Sequence, residues 1–266
     1  MPNSLYTVAS ICLDAHTLED KVALTRHYAN LWRDGWLSMD SVSEPLPIGE
    51  PGRPDRPALV CPRTLHRRKP TSALGHAALI HAICHIEFNA INLAWDAVYR
   101  FRGLPREYYD GWVQVADEEA YHFTLLRQHL QGLGYDYGDF DAHNGLWEMA
   151  QKTAHDPLIR MALVPRVLEA RGLDVTPGIM DKLHKIGDDK AVSILEIIFR
   201  DEIGHVKIGS RWFEFLCRQR DMEPESTFRD LLDQYMHGSL KGPFHKQARL
   251  SAGFSQEELA YLEGLG

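Results

Sequence analysis

The sequence has few cysteines, and their arrangement forms no familiar site. The four cysteines of the 266-residue chain are Cys12, Cys61, Cys84 and Cys217, and no two of them form a Cys-x-x-Cys pair. These spacings suit neither a zinc knot nor a disulfide framework. We therefore expect buried, reduced thiols in a cytoplasmic protein.

Long apolar runs and an excess of positive charge are also missing. No apolar run approaches the about 18 residues of a membrane helix, and no basic, then apolar, leader opens the chain. The net charge of −8 at pH 7 disfavours a general binder of nucleic acid or anionic membranes. Hydrophobic residues make up 44% of the chain, which is enough for a sizeable core.

Patterns typical of β-strands are absent, and helical periodicity covers most of the chain. The sequence therefore predicts an all-α fold. The expected helices cover 17–39, 71–101, 106–131, 142–154, 157–171, 176–186, 188–219, 225–237 and 255–264.

Proline and glycine set several of these expected boundaries. Pro165 is expected to kink the helix over 157–171, and Gly172 is expected to close it. Thr176 and Pro177 suit the N-cap and first position of the next helix.

The organisation expected from these elements is one compact domain in three parts. An N-terminal helix and a proline-rich loop occupy 1–70, a helical bundle 71–220 and a helical extension 221–266. The loop ends in a basic run over 63–69. That run suits either a solvated loop or a contact for an anionic substrate group, and both interpretations stay open.

Six side chains that can bind metals interrupt the apolar stripes of four expected helices. A carboxylate in such a stripe is costly unless it is paired or coordinates a metal. Two of the carboxylates precede a histidine by three residues, so each pair shares one helix face. The six predicted metal ligands are Glu87, Glu119, His122, Glu169, Glu202 and His205.

The two halves of this ligand set repeat one pattern. Glu119 follows Glu87 by 32 residues, and Glu202 follows Glu169 by 33 residues. Each half is a helix with one glutamate, a turn, and a helix with Glu-x-x-His. Two helix hairpins joined by a long crossover are typical of ferritin-like four-helix bundles with two metal ions. Carboxylate and imidazole ligands favour iron, with manganese or a mixed pair as alternatives.

Residues beside the ligands suggest further roles. Ala90 and Gly172 stand three positions after the unpaired glutamates, where small side chains leave volume or simply allow helix packing. Glu118 and Asp201 precede the paired glutamates. Each could accept a hydrogen bond from a ligand histidine and so form part of the second layer around the metals, or face solvent.

The order of these motifs resembles the ferritin-like di-iron carboxylate superfamily. The stretch from Asp201 to His205 resembles the D-E-x-x-H helix of its oxygenase and reductase members, although Gly204 stands where several have arginine. A bacterial ferritin-like family of unassigned function is more similar, and the di-iron tRNA hydroxylase acting on an isopentenyl-type adenosine less so. The segments that carry the similarity to the bacterial family are 85–87, 168–172 and 243–254.

This resemblance implies a di-iron oxidoreductase, most directly an O₂-dependent oxygenase or hydroxylase. Its substrate would be a small molecule or modified nucleoside, with an external electron donor and no catalytic residues beyond the metal ligands. One alternative is a ferroxidase or iron-handling protein without an organic substrate. Another is a protein in which the metals are structural or regulatory. We expect a monomer or a small homo-oligomer.

Overall fold

The computed structural model describes residues 4–40, 44–66, 68–236 and 240–265. Within these ranges the protein is all-helical, as predicted, and its only strand-like pairings are two isolated bridges. The α-helices are α1 Leu5–Asp14, α2 Leu18–Arg33, α3 Ala73–Arg100, α4 Arg106–Gly132, α5 Gly145–Lys152, α6 Pro157–Leu163, α7 Ala170–Lys185, α8 Asp189–Gln219, α9 Pro224–Met236, α10 Lys246–Ser251 and α11 Gln256–Gly264. A π-helical segment, Val164–Glu169, joins α6 to α7.

The chain forms two compact units, residues 1–151 and 152–266. In the first unit α3 packs along α4, while α1 packs on α3 and α2 on α4. A short turn joins α3 to α4, which makes them antiparallel neighbours. Trp95 and Trp112 are among the largest fully buried side chains of this unit.

The second unit is built around α8. The π-helical segment and the helices on either side of it pack on α8, and α9 contacts α6 and α8. The short helix α10 contacts α7 and α8, and α11 packs on α9. The segment 71–220, predicted as the bundle, therefore supplies long helices to both units.

The N-terminal region differs from the single helix predicted over 17–39. Helix α1 was not predicted. It buries its apolar residues, but it has no side-chain cap and no acidic residue in its first turn, and these are the usual sequence signals of a helix start. Thr17 caps α2 by accepting a hydrogen bond from the Asp20 backbone N–H at 3.0 Å. The helix ends at Arg33 because Gly35 adopts a positive φ of 76°, which breaks helical geometry.

The predicted boundaries at Gly172 and Thr176 are wrong. The helix continues through both residues and through Pro177 as α7. A helical glycine costs only about 1 kcal/mol, and the packing of α7 on α8 outweighs that cost and the hydrogen bond lost at Pro177. Pro165 lies inside the π-helical segment, so the distortion predicted there takes the form of a wider turn.

Over the described residues 44–66 and 68–70, the proline-rich loop is extended, as predicted, apart from the short 3₁₀ turn Pro62–Thr64. The Gly52 backbone N–H donates to the Leu13 carbonyl at 2.7 Å, and a side chain at Gly52 would collide with the end of α1. In the basic run, Arg63 is exposed, whereas the Arg68 guanidinium lies 5.5 Å from the Phe140 ring centre. That the run binds an anion stays a prediction.

Of the helices that the structure describes, α3 alone has the length and apolar composition to cross a membrane. However, 78% of its most apolar window is buried inside the protein. This burial is the pattern of a core helix, and Glu87 lies within it.

The thiols differ in part from expectation. Cys12, Cys84 and Cys217 are buried and free, as predicted, but Cys61 is exposed in the proline-rich loop.

Candidate metal centre

Three of the predicted ligands form a compact cluster in the first unit. Glu87 comes from α3, and Glu119 and His122 come from successive turns of α4. Glu119 and His122 are fully buried, and Glu87 is 3% exposed. The His122 Nδ1 atom lies 3.3 Å from Glu87 Oε2 and 3.3 Å from Glu119 Oε2. One donor atom from each residue lies within 4.8 Å of the other two, so the group could hold a metal ion.

The packing of α3 on α4 brings these side chains together. Phe88 follows Glu87 and Phe123 follows His122, and the two aromatic rings contact each other at a centroid distance of 5.4 Å. Tyr137 packs on both rings. Because these rings are bulky and buried, they fix the spacing of the two helices beside the cluster.

The charges of this first cluster are strongly coupled. Burial raises the pKa of the Glu87 carboxyl to about 8, and the neighbouring Glu119 adds to the rise. Burial alone would lower the pKa of His122, but hydrogen bonds to Glu119 and Glu87 outweigh it and raise that pKa to about 11. The metal-free cluster therefore retains protons at neutral pH, and a cation could replace them.

The other three predicted ligands lie in the second unit. Glu202 and His205 stand one turn apart on α8, with Glu202 Oε2 3.8 Å from His205 Nδ1. Glu202 is 8% exposed and His205 1% exposed. Glu169 is the last residue of the π-helical segment, which packs against α8. The predicted pair is therefore close together, and the third residue lies on an adjoining element.

A close backbone approach holds the π-helical segment against α8. A Cβ atom at Gly209 would lie 2.3 Å from Pro165 Cγ, so only glycine fits at that point. Gly209 lies on the same stripe of α8 as His205, and Pro165 precedes Glu169 by one turn. This role of Gly209 was not predicted, because a lone glycine in a helical sequence does not reveal which residue it contacts.

Glu118 and Asp201, which precede the paired glutamates in the sequence, each accept a hydrogen bond in the structure. Glu118 accepts a hydrogen bond from Gln114 at 2.9 Å, and Asp201 accepts one from Arg200 at 2.9 Å. That either carboxylate orients a ligand histidine stays a prediction. A Cβ atom added at Gly172 would have no neighbour within 4 Å, so there is open space beside that residue.

Comparison with known proteins places the chain in a family. Residues 14–260 match the family described as "Protein of unknown function (DUF455)". An uncharacterized protein of Haemophilus influenzae is 50% identical over 216 residues, which cover 79% of this chain and 75% of that protein. No solved structure matches the chain. Because the family match spans most of the sequence, the chain belongs to the DUF455 family.

Proposed function

We propose that the protein is a di-iron carboxylate oxidoreductase, an oxygenase or hydroxylase that uses O₂ to oxidise an organic substrate in the cytoplasm. The observation that carries the proposal is the buried cluster of Glu87, Glu119 and His122, whose donor atoms lie within 4.8 Å of one another. Two carboxylates and an imidazole form a ligand set that suits iron or manganese.

The energetic cost of this cluster favours a bound metal. Two carboxylates without solvent contact repel each other, and His122 supplies one positive charge between them. A divalent cation would compensate both carboxylates and release the protons that the metal-free cluster retains. If the three charged groups had only a structural role, apolar side chains of similar volume would give the protein a higher free energy of unfolding.

The second half of the proposed centre comes from Glu169, Glu202 and His205. These residues repeat the types and order of the first half, with nearly the same spacing along the chain. We propose that the two halves supply the six ligands of one metal pair in a ferritin-like four-helix arrangement. The four helical elements would be α3, α4, α8 and the run from α6 to α7.

In the proposed reaction the metal pair and the protein side chains would have separate roles. When bound, the metal pair would supply reduction of O₂ and oxidation of the substrate. The carboxylates would neutralise the metals, while Phe88 and Phe123 would keep water from the first cluster. Hydroxylation inserts one oxygen atom and reduces the other to water, which consumes two electrons and two protons. An external electron donor is therefore part of the proposal.

Metal analysis of two variants tests the proposal. The full-length protein is loaded with Fe(II) under anaerobic conditions and washed, and its iron is then counted by mass spectrometry. We expect about two iron ions per chain. Glu119→Ala and Glu202→Ala should each lose at least one of them. The matched controls are Glu107→Ala on α4 and Glu196→Ala on α8, which remove exposed carboxylates from the same helices.

The same preparations separate the candidate functions. Unchanged iron content in both Glu119→Ala and Glu202→Ala would defeat the ligand assignment. O₂ consumption by the reduced, loaded protein is expected for an oxygenase. Stoichiometric oxidation of added Fe(II), with release of ferric product, would instead favour iron handling. Tight metal binding without any O₂ consumption would favour a structural role.

A further inference from the structure

The second unit contains a cavity of about 270 Å³ that none of the six proposed metal ligands lines. Its walls come from the π-helical segment, α7 and the C-terminal part of the chain. Four of its lining side chains are cationic, and one is a carboxylate. These charged residues are Arg166, Arg171, Lys241, Arg249 and Asp174.

The carboxylate of this cavity is already neutralised. Asp174 accepts hydrogen bonds from Arg249 Nε at 2.9 Å and from Arg249 Nη2 at 2.8 Å. It also accepts one from the His245 backbone N–H at 2.9 Å. Both side chains of the ion pair are almost completely buried. Asp174 therefore serves to compensate Arg249 and leaves the other cations of the cavity with little negative charge.

Arg166 is compensated by a carboxylate outside the cavity lining. Its Nη2 donates to both carboxylate oxygens of Glu258 at 2.7 Å, and its Nε donates to Ser210 at 3.2 Å. Within the described part of the chain, Arg166 Nη1 has no hydrogen-bond acceptor. The guanidinium also lies within 5 Å of three aromatic rings, those of Phe213, Phe228 and Phe254.

Two cations remain in excess near solvent. The side chain of Arg171 is 43% exposed and donates to the Pro243 carbonyl at 3.1 Å, with Asp174 at 3.5 Å. Lys241 is exposed. The cavity is lined by four cationic side chains, and two carboxylates, those of Asp174 and Glu258, pair with them. The net charge of these six side chains is therefore +2. An anion of low charge that reaches the cavity would be attracted by this net charge.

The remaining walls are apolar. Val167, Leu168, Phe244 and Leu262 line the cavity together with the aliphatic side chain of Leu240. A cationic opening beside apolar walls is suited to a ligand with an acidic head and a hydrocarbon body, because each part then meets a matching surface.

We propose that this cavity binds a small organic monoanion, with a carboxylate held by Arg171 and Lys241 and an apolar body against Val167, Leu168 and Phe244. This site goes beyond the proposed metal chemistry and does not depend on it, since its lining residues are distinct from the metal ligands. Leu168 immediately precedes Glu169, so the bound anion lies beside the segment that supplies a proposed ligand.

Calorimetric titration of the metal-free, full-length protein tests the site. The probes are sodium octanoate, 1-octanol of the same chain length without charge, and sodium acetate without the apolar body. We expect octanoate to bind at least tenfold more tightly than each of the other two. Lys241→Gln and Arg171→Gln should each weaken octanoate binding about tenfold, because each removes a charged hydrogen-bond donor. Their affinity for 1-octanol should not change.

The control variant is Arg218→Gln on α8, which removes an exposed guanidinium outside the cavity and should leave octanoate binding unchanged. Thermal unfolding of each variant confirms that it is folded, and Lys241→Gln removes a side chain at the surface. Absence of octanoate binding, equal binding of octanoate and 1-octanol, or unchanged affinity in both cavity variants would overturn the proposal. Each of these results would leave the iron-loading experiment unaffected.

Discussion

The two halves of the proposed metal centre have the same residue types but different backbones. In the first unit, Glu87 and Glu119 come from regular helices and both contact His122 at 3.3 Å. In the second unit, Glu169 ends a π-helical segment, and the pair on α8 is separated by 3.8 Å. Similar sequence patterns therefore produce shorter glutamate–histidine distances in the first unit than between Glu202 and His205 in the second.

This difference indicates different demands on the two halves. The first cluster is preorganised because its own charges and the packing of α3 on α4 hold it in place. The second includes a π-helical turn, a distortion that is frequent at functional sites. It also adjoins the proposed anion cavity at Leu168. We expect the first half to fix the metal pair and the second to adjust when substrate binds.

The largest expected effect comes from removing the histidine of each half in metal-free protein. His122→Gln leaves Glu87 and Glu119 without their shared positive partner, and should lower the free energy of unfolding by about 3–5 kcal/mol. His205→Gln should cost less, because its glutamate is 3.8 Å away. Urea denaturation measures both values.

His184→Gln is the control for this comparison. Its side chain is 74% exposed and pairs with Asp189 at the surface, so its loss should change stability by less than about 1 kcal/mol. Equal losses for His122→Gln and His205→Gln would show that the two halves are equally preorganised, and the comparison would fail.

The free energy of unfolding should also depend on pH, because the first unit contains a buried histidine. His81 is 1% exposed, and its Nε2 accepts a hydrogen bond from the Gly138 backbone N–H at 3.0 Å. Burial lowers the pKa of His81 to about 4. As the pH falls below the usual value of 6.5, the unfolded chain takes up a proton first. The stability present above pH 6.5 is therefore lost progressively towards pH 4, by about 3 kcal/mol in total.

His81→Gln should remove this pH dependence, because glutamine can accept the same hydrogen bond without titrating. The measurement is the difference in free energy of unfolding between variant and wild type from pH 7 to pH 4. A variant that follows the wild-type slope over this range would contradict the assignment of a neutral buried His81.

A further variant disturbs the close approach of Pro165 to Gly209 in the second half. Gly209→Ala would place a Cβ atom 2.3 Å from Pro165 Cγ, and this overpacking should lower the free energy of unfolding by about 1–3 kcal/mol. Movement of the π-helical segment should also displace Glu169 and weaken iron binding. Urea denaturation and iron analysis measure the two effects. Unchanged values in both would show that the close approach has no role.

Most of the helices, and the residues proposed as metal ligands, could be identified from the sequence. Apolar periodicity predicted α3, α4 and α8 to within two residues at each end. Glu87, Glu119 and His122 could be predicted because charged side chains are conspicuous in an apolar stripe. The structure buries these three residues and brings their donor atoms together, and their role as metal ligands stays a prediction.

Features that depend on packing between elements could not be predicted in the same way. Gly172 and Pro177 are local signals for helix ends, but contacts of α7 with α8 keep the helix continuous. The π-helical turn at Pro165 depends on Gly209, which lies more than forty residues away in the chain. The proposed anion cavity likewise joins residues near 166–174 to residues near 240–262, and no sequence period connects them.

The smallest expected effect concerns Gly172, where an added Cβ atom meets no neighbour within 4 Å. Gly172→Ala should raise the free energy of unfolding by about 0.5–1 kcal/mol, because alanine favours the helix and restricts the unfolded chain. Gly204→Ala on α8 has equally open surroundings and should give the same gain. Both variants should bind iron normally if Gly172 only permits packing. A loss of O₂-dependent turnover in Gly172→Ala alone, with stability raised in both, would show that the space beside Glu169 is used by substrate.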